Sequence, residues 1–236
     1  MAQARSRFDI LIVALTALLI LIGIVMVFGV APTADRLSGG DVQRIFYFHV
    51  GIAWVAGLAL FVTFVSSILY LARREQRKFD IVAAASVEIG VVFGVMVLLS
   101  GMLWARPVWN TWWTWDPRLT SAAVTELIYI AYFMLRQGMD EPEKRARFGA
   151  VYTLLGGLSA PITFFVIRLF RTIHPVVIGN GSPSAEGGFD MTPDMLTAFL
   201  FALFAFTVIF IDLIWHRIRL GDLQEKVDQL KFKVSM

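Results

Sequence analysis

The sequence contains no cysteine, and only 17% of its 236 residues are charged. Without cysteine, the chain forms no disulfide, offers no thiolate to a metal ion and has no thiol nucleophile. In a soluble domain of average composition, roughly a quarter of all residues are charged, so the low share of charged residues here argues against a soluble protein. The pI near 9.4 does not indicate a nucleic-acid partner, because the basic residues fall in short clusters between apolar blocks.

Long apolar blocks fill most of the chain, of which 58% is hydrophobic. A helix needs about 20 apolar residues to cross a bilayer core of roughly 30 Å. The blocks are continuous and lack the alternation of strands, so we predict an all-α membrane protein with six transmembrane helices. The predicted spans are residues 10–31, 48–72, 81–103, 119–135, 148–167 and 196–215. The first span exceeds the roughly 7–15 apolar residues of a signal peptide, so we expect it to be retained.

The distribution of lysine and arginine predicts the orientation of the chain. With six spans, 15 of these residues lie on the side of both termini and 6 lie on the other side. The positive-inside rule therefore places both termini in the cytoplasm and the connections after spans one, three and five on the outer face. We predict a membrane domain over residues 1–217 and a cytoplasmic amphipathic tail over residues 218–236.

The tail has apolar residues at the 3, 4, 3, 4 spacing of a heptad repeat. They are Leu220, Leu223, Val227, Leu230 and Val234. Two heptads are too short to indicate a coiled coil alone. The tail is therefore either a helix lying on the membrane surface or a helix that binds a partner.

Two of the three histidines are predicted on the outer face. His49 opens span two and His174 follows span five, whereas His216 closes span six on the cytoplasmic side. Neutral imidazole is a common metal ligand and an axial ligand of haem iron. Two histidines from separate segments are able to clamp a planar macrocycle from both faces. The alternative is that each is an interfacial residue without a ligand.

A tryptophan-rich loop, residues 104–120, lies between spans three and four on the outer face. Its five tryptophans exceed the one or two per helix end of an ordinary interfacial belt. They are Trp104, Trp109, Trp112, Trp113 and Trp115. Neighbouring indoles form a platform for a flat hydrophobic ligand, or they anchor the loop among lipid headgroups. Composition alone leaves both possibilities open.

Polar residues in and beside this loop have structural and binding interpretations. Asp116 followed by Pro117 is the pattern of a helix N-cap and first residue, and it predicts the start of span four. Arg106 and Arg118 bracket the loop. Their guanidinium groups suit the two propionates of haem, or they pair with lipid phosphate or Asp116.

Two acids lie within the predicted spans, where a charge is costly and is usually paired or functional. We expect Glu126, nearer the outer face, to pair with an arginine of the site. Glu88 lies toward the cytoplasm, where we expect a protonated or paired group. Gly156 and Gly157 predict close packing or a kink in span five.

The sequence from Trp109 to Thr120 reads WNTWWTWDPRLT, which resembles the WWD signature of haem-handling membrane proteins of cytochrome c maturation. The segment IFYFH ending at His49 is similar to the one that carries the first outer histidine in those proteins, and His174 matches the second. Six spans and this chain length fit the haem exporter protein C family, also called cytochrome c maturation protein C. Gly51 departs from the family, which often has proline there, and Pro175 directly follows His174.

The resemblance implies a haem-binding and transfer factor, not an enzyme. His49 and His174 would be the axial ligands of haem b at the outer leaflet. The partners implied are an ABC-type transporter complex and a membrane-tethered haem chaperone that serves apocytochrome c. The location implied is the bacterial cytoplasmic (inner) membrane, with the site facing the periplasm and in contact with lipid. The binding site would comprise His49, His174, Trp109, Trp112, Trp113, Trp115, Asp116, Arg106 and Arg118.

Three other functions compete with this interpretation. A membrane cytochrome b-type electron-transfer subunit would bury bis-histidine haem near mid-membrane, whereas here the histidines lie near one face. A transporter working by alternating access needs a polar path, and the spans hold few polar residues besides Glu88 and Glu126. A scaffold without haem would use the tryptophan-rich loop only as an anchor.

Overall fold

The computed structural model describes residues 7–33, 40–73, 76–175 and 191–235, and these residues form helices and short connections without any strand. A π-helical turn at Met26–Val30 extends the first helix, and a 3-10 turn at Gly40–Arg44 precedes the second. The α-helices are α1 Arg7–Val25, α2 Ile45–Ala72, α3 Lys78–Trp109, α4 Pro117–Gln137, α5 Pro142–Gly156, α6 Ser159–Leu169 and α7 Pro193–Ser235. Six segments of the described chain are long and apolar enough to cross a membrane, because α5 and α6 together form one, so the predicted span count is confirmed.

The third span is longer than predicted. Helix α3 continues through Trp104 and Trp109, although the predicted span ends at residue 103. It stops at Asn110, whose φ of 56° is left-handed and ends the helix. The predicted loop over residues 104–120 is therefore mostly helical, and only residues 110–116 connect α3 to α4. Apolar tryptophan, valine and alanine side chains extend an apolar helix as readily as they build a loop, so composition placed this boundary wrongly.

The fifth span breaks at the glycines, as predicted. Helix α5 ends at Gly156 and α6 begins at Ser159. A Cβ atom at Gly156 would lie 2.9 Å from the Ile128 side chain of α4. At Gly157 it would lie 2.7 Å from the Phe64 ring of α2. Both glycines thus let neighbouring helices approach the backbone where α5 ends and α6 begins.

Helix α2 lies at the centre of the bundle, where it packs against α3 and α7. The apolar core between these three helices contains Ile52, Val55, Ala59, Ile89, Phe93 and Phe210. The Phe206 ring of α7 occupies the position that a Cβ at Gly51 would take. This contact gives the physical reason for glycine two residues after His49.

The bundle has two chemically different ends, which we call the histidine end and the terminal end. The histidine end contains the start of α2 and the end of α3. The terminal end contains the start of α1 and the last part of α7, which meet where Trp215 Nε1 and Arg219 donate to the buried Asp9 carboxylate. Two further ion pairs join the helices there, one between Arg136 and Asp80 and one between Arg217 and Glu88. Glu88 is therefore a paired group, which was one of the two predicted states.

Candidate functional site: a histidine pair beside the tryptophan-rich segment

His49 projects from the first turns of α2 toward α3. Its Nδ1 lies 2.9 Å from the Ser100 hydroxyl oxygen. That hydroxyl has a single proton, which it donates to the carbonyl oxygen of Met96 at 2.7 Å. The serine oxygen therefore accepts from Nδ1–H of His49, and this assignment leaves the Nε2 lone pair of His49 available to a ligand.

His174 lies in the connection after α6, and its ring is also fixed through Nδ1. The contact is 2.9 Å to the backbone oxygen of Pro175, which only accepts hydrogen bonds, so Nδ1 carries the proton. Burial and, to a smaller extent, the charge of nearby Arg118 together lower the pKa of His174 to about 4. The imidazole is therefore neutral at pH 7, with the Nε2 lone pair free to bind a metal.

The two imidazole rings lie at a spacing that suits one metal atom between them. Their centres are 6.5 Å apart and their planes are inclined by 40°. A metal–imidazole bond is about 2.0 Å long. In a five-membered ring whose bonds are about 1.33 Å long, the centre lies about 1.1 Å from each ring atom. Two axial ligands on one iron thus place their ring centres about 6.2 Å apart. The observed spacing agrees with this value.

Asp116 connects the tryptophan-rich segment to His174. It is the N-cap of α4, as predicted, because its carboxylate accepts from the backbone N–H of Arg118 at 2.8 Å. The same carboxylate accepts from the Thr172 hydroxyl at 2.8 Å and from the Ile173 backbone N–H at 2.9 Å. Thr172 in turn accepts from the backbone N–H of His174 at 3.0 Å. The buried Asp116 thus fixes the backbone that carries His174.

The tryptophans form two edge-to-face pairs. Trp104 packs on Trp109 at 5.0 Å within α3, and Trp113 packs on Trp115 at 5.9 Å in the connection to α4. Trp112 and Trp115 are 55% and 81% exposed. This much apolar surface at one end of the bundle is available to a flat ligand or to lipid, so the geometry leaves both predicted roles open.

Both arginines beside this segment bind backbone oxygens. Arg106 donates to the carbonyl and side-chain oxygens of Asn110, each at 2.7 Å, and so supports the end of α3. Arg118 donates to the carbonyl oxygens of Thr163 and Phe164 on α6. Asp116, one of the predicted partners of Arg118, accepts a hydrogen bond from the backbone N–H of Arg118.

Glu126 does not pair with an arginine among the described residues, so the predicted pairing is wrong. Its carboxylate packs directly on the backbone of α3, where Gly94 has no Cβ to block it. Its Oε1 is buried and has no hydrogen-bond partner. Arg118 lies eight residues away on α4, about 12 Å along the helix axis, and it binds α6 instead.

Two residues of the site were not predicted from the sequence. Ser100 and Thr172 hold the two histidine segments, but single hydroxyl residues in apolar surroundings carry no recognisable pattern. In the described ranges no group of three or more His, Cys, Asp or Glu residues is close enough to hold a metal ion. Two histidines alone suit a metal whose other ligands come from a macrocycle, as in haem.

The fold and the site define a polytopic helical membrane protein with a paired-histidine site at one end of its bundle. The chain matches the model of the family described as Heme exporter protein C over residues 1–233. It is 34% identical over 220 residues to Heme exporter protein C of Bradyrhizobium diazoefficiens, across 92% of this chain and 80% of that protein.

Two further relatives carry the same name. The protein of Rhodobacter capsulatus is 34% identical over 161 residues, which are 68% of this chain and 65% of that protein. The protein of Escherichia coli is 30% identical over 199 residues, which are 84% of this chain and 77% of that protein. The chain belongs to the haem exporter protein C family, so the family predicted from the sequence is confirmed.

Proposed function

We propose that this chain binds haem b between His49 and His174 and passes it to a membrane-tethered haem chaperone during cytochrome c biogenesis. The 6.5 Å spacing of two imidazoles, each with Nδ1 already hydrogen-bonded, carries this proposal. Membership of a haem exporter family supports a role in haem handling. Haem is the cargo here, and the chain makes or breaks no covalent bond in it.

The tryptophans and arginines at the histidine end complete the proposed site. The exposed rings of Trp112 and Trp115 provide apolar surface at the histidine end, and Trp113 packs against Trp115 edge-to-face. Trp109, which packs on Trp104 at the end of α3, is a further part of the proposed site. Arg106 and Arg118 supply positive charge at the same end, where the haem propionates need a counter-charge.

Release of the cargo is proposed to begin at His174. His49 belongs to a long helix at the centre of the bundle, whereas His174 lies in a connection held through Asp116 and Thr172. Breaking a few hydrogen bonds therefore frees the second ligand without unfolding a helix. Displacement of this connection by a partner would weaken one axial bond and open the site.

The asymmetry of basic residues supports the proposed location. By the positive-inside rule, the proposed arrangement has the terminal end of the bundle in the cytoplasm and the histidine end on the periplasmic side of a bacterial inner membrane. In this arrangement residues 1–217 form the haem-handling membrane domain and residues 218–236 form the cytoplasmic tail. The proposed partners are the haem chaperone, ABC-type transporter subunits and the surrounding lipid.

A cytochrome b-type electron-transfer subunit is disfavoured by the position of the histidine pair. His49 is the fifth residue of the 28-residue helix α2, and His174 lies outside the helices. Haem held by these side chains lies at one end of the bundle, which suits exchange with another protein. A permanent electron carrier gains more from burial between helices near mid-membrane.

Optical absorption of the purified chain loaded with haem tests the proposal. We expect a Soret band in the unmodified protein, its loss or shift in His49→Ala and in His174→Ala, and no change in His216→Ala. His216 is a matched control because it lies at the terminal end, next to Asp212. A protein that shows no Soret band after loading would contradict haem binding, and single variants with an unchanged spectrum would contradict the axial assignment.

A further inference from the structure

The last part of α7 carries an apolar face that the bundle leaves uncovered. The predicted span ends at residue 215, yet α7 continues to Ser235, so about 20 residues extend roughly 30 Å beyond it. On this extension five residues at heptad spacing are between 40% and 88% exposed. These residues, which we call the heptad stripe, are Leu220, Leu223, Val227, Leu230 and Val234.

The opposite side of the extension is held against the start of α3. At Gly221 the helices come so close that a Cβ atom would lie 2.6 Å from the Ile81 side chain. One turn further on, Arg77 contacts Glu225 at 3.4 Å. These contacts point the heptad stripe away from α3. Nearer the membrane, the stripe borders a cleft of about 880 Å³ between α1 and α7, lined also by Ile10 and Val13.

The charges beside the heptad stripe have one sign. In a coiled coil, the positions that flank the apolar seam determine which partner pairs with it. On this helix the flanking residues are Arg219, Lys226 and Lys233 on one side and Gln224 and Lys231 on the other. Because Arg219 is already paired with Asp9 of α1, the flanking charges that would select a partner are those of the three lysines. The acidic residues of the extension lie farther from the seam, at Asp222, Glu225 and Asp228.

We propose that the heptad stripe binds an α-helix of a partner protein whose apolar heptad residues are flanked by aspartate or glutamate. A second copy of this chain is a poor partner. In a parallel pair Lys226 of one copy would face Lys231 of the other. In an antiparallel pair each basic flank would face the same basic flank of the other copy. Because α7 already forms the helix, the partner bears most of the ordering cost.

The membrane surface is the rival occupant of the same stripe. A helix that leaves the bilayer and then lies on its surface must bend sharply, and sharp bends need an interruption of the helical hydrogen bonds. Helix α7 is continuous from Pro193 to Ser235. Its contacts with Ile81 and Arg77 hold the extension beside α3 beyond the point where such a bend is required.

The test uses the full chain in nanodiscs of phosphatidylcholine, which carry no net charge. The probes are two fluorescent three-heptad peptides with leucine and isoleucine in the seam, one flanked by glutamate and the other by lysine. Fluorescence anisotropy is expected to show binding of the acidic peptide at least tenfold tighter than that of the basic one. A higher salt concentration should reduce the difference in affinity between the two peptides.

Two pairs of substitutions separate the seam from its charges. Leu223→Ser with Leu230→Ser should weaken acidic-peptide binding at least tenfold, and Lys226→Glu with Lys231→Glu should reverse the preference toward the basic peptide. Asp228→Asn with Gln229→Ser, on the far side of the helix, is the matched control and should change neither. The Soret band should be the same in every variant, so this proposal fails or holds independently of haem binding.

Three results would overturn the proposal. The first is equal binding of the acidic and basic peptides. The second is a concentration-dependent dimer that Leu223→Ser with Leu230→Ser abolishes, which would make a second copy the occupant. The third is contact of the stripe with the lipid surface in anionic-lipid nanodiscs, without any binding of the acidic peptide. This result would make the membrane surface the occupant.

Discussion

The two ends of the bundle are held together by different interactions. At the terminal end, arginine–carboxylate pairs join α1, α3, α4 and α7. At the histidine end, the two imidazoles are oriented by hydrogen bonds that they donate to the Ser100 hydroxyl and to a backbone carbonyl, and the Asp116 carboxylate accepts from Thr172 and Ile173 beside His174. Removing one partner of a buried ion pair costs several kcal/mol, whereas a single hydrogen bond contributes about 1 kcal/mol. We therefore expect the terminal end to contribute more to the stability of the fold, while the weaker contacts at the histidine end suit the proposed exchange of a ligand.

The largest effect on stability is expected from Arg136→Ala at the terminal end. Arg136 makes two contacts with the buried Asp80, at 2.5 and 3.1 Å. Its removal leaves an unpaired buried carboxylate and should lower the free energy of unfolding by about 3–5 kcal/mol. Unfolding of the detergent-solubilised protein measures the change, and haem affinity of the folded fraction should stay constant.

Lys144→Ala is the control for this substitution, because Lys144 and Glu141 form an exposed pair. Lys144→Ala should leave the free energy of unfolding unchanged. Equal stability of Arg136→Ala and the unmodified protein would remove the distinction between the two ends.

Asp116→Ala should affect both stability and ligand binding. It removes the cap of α4, worth about 1 kcal/mol, and leaves the Ile173 N–H without its acceptor, which costs about 1–3 kcal/mol more. Because the same bonds position His174, haem affinity should fall together with stability. Equilibrium unfolding and haem titration measure the two effects.

Asp116→Asn retains an oxygen for the cap but presents an amide N–H₂ to Ile173 or Thr172, so an intermediate loss is expected. If Asp116→Ala lowers stability while haem affinity stays unchanged, Asp116 acts only as a helix cap, and the link to His174 is wrong.

Ser100→Ala should weaken haem binding and leave stability nearly unchanged. The substitution removes the acceptor that holds His49 with its proton on Nδ1. Outer-shell partners of this kind change metal affinity by about 10–100-fold. Haem titration followed at the Soret band measures the change, and Ser100→Thr should restore most of the affinity.

Ser121→Ala is the matched control, because its hydroxyl likewise donates to a backbone carbonyl of the preceding helical turn but supports no histidine. A similar loss of haem affinity in both serine variants would show that Ser100 has no specific role.

Trp115→Ala should have the smallest effect. The ring is 81% exposed and packs edge-on against Trp113, so stability should not change measurably. Loss of one aromatic contact with haem should cost about 1 kcal/mol, or several-fold in affinity. Trp115→Phe should retain most of the haem affinity. Unchanged haem affinity together with weaker partitioning into lipid would favour the anchor role of the loop.

The sequence predicted the number of spans, the break at Gly156 and Gly157, and the Asp116 cap, because each depends on local residue patterns. Both histidines were placed at one end by counting spans and charges. The end of α3 was misplaced, because tryptophan is equally compatible with a helix end and a loop.

The supporting contacts of the site could not be predicted from the sequence. Ser100 meets His49 across 51 positions of the chain, and Thr172 meets Asp116 across 56. No local pattern records such pairings, since they depend on how α2, α3 and α6 pack. The expected partner of Glu126 was wrong for the same reason: the close approach of α3 at Gly94 became visible only in three dimensions.

Electron paramagnetic resonance of the ferric haem complex tests the central claim most directly, because it reports the axial ligands themselves. We expect a low-spin bis-imidazole spectrum for the unmodified protein and for His216→Ala. We expect conversion to a high-spin, singly ligated form in His49→Ala and in His174→Ala. A bis-imidazole spectrum that survives either of these two substitutions would contradict the claim that this histidine pair holds the iron.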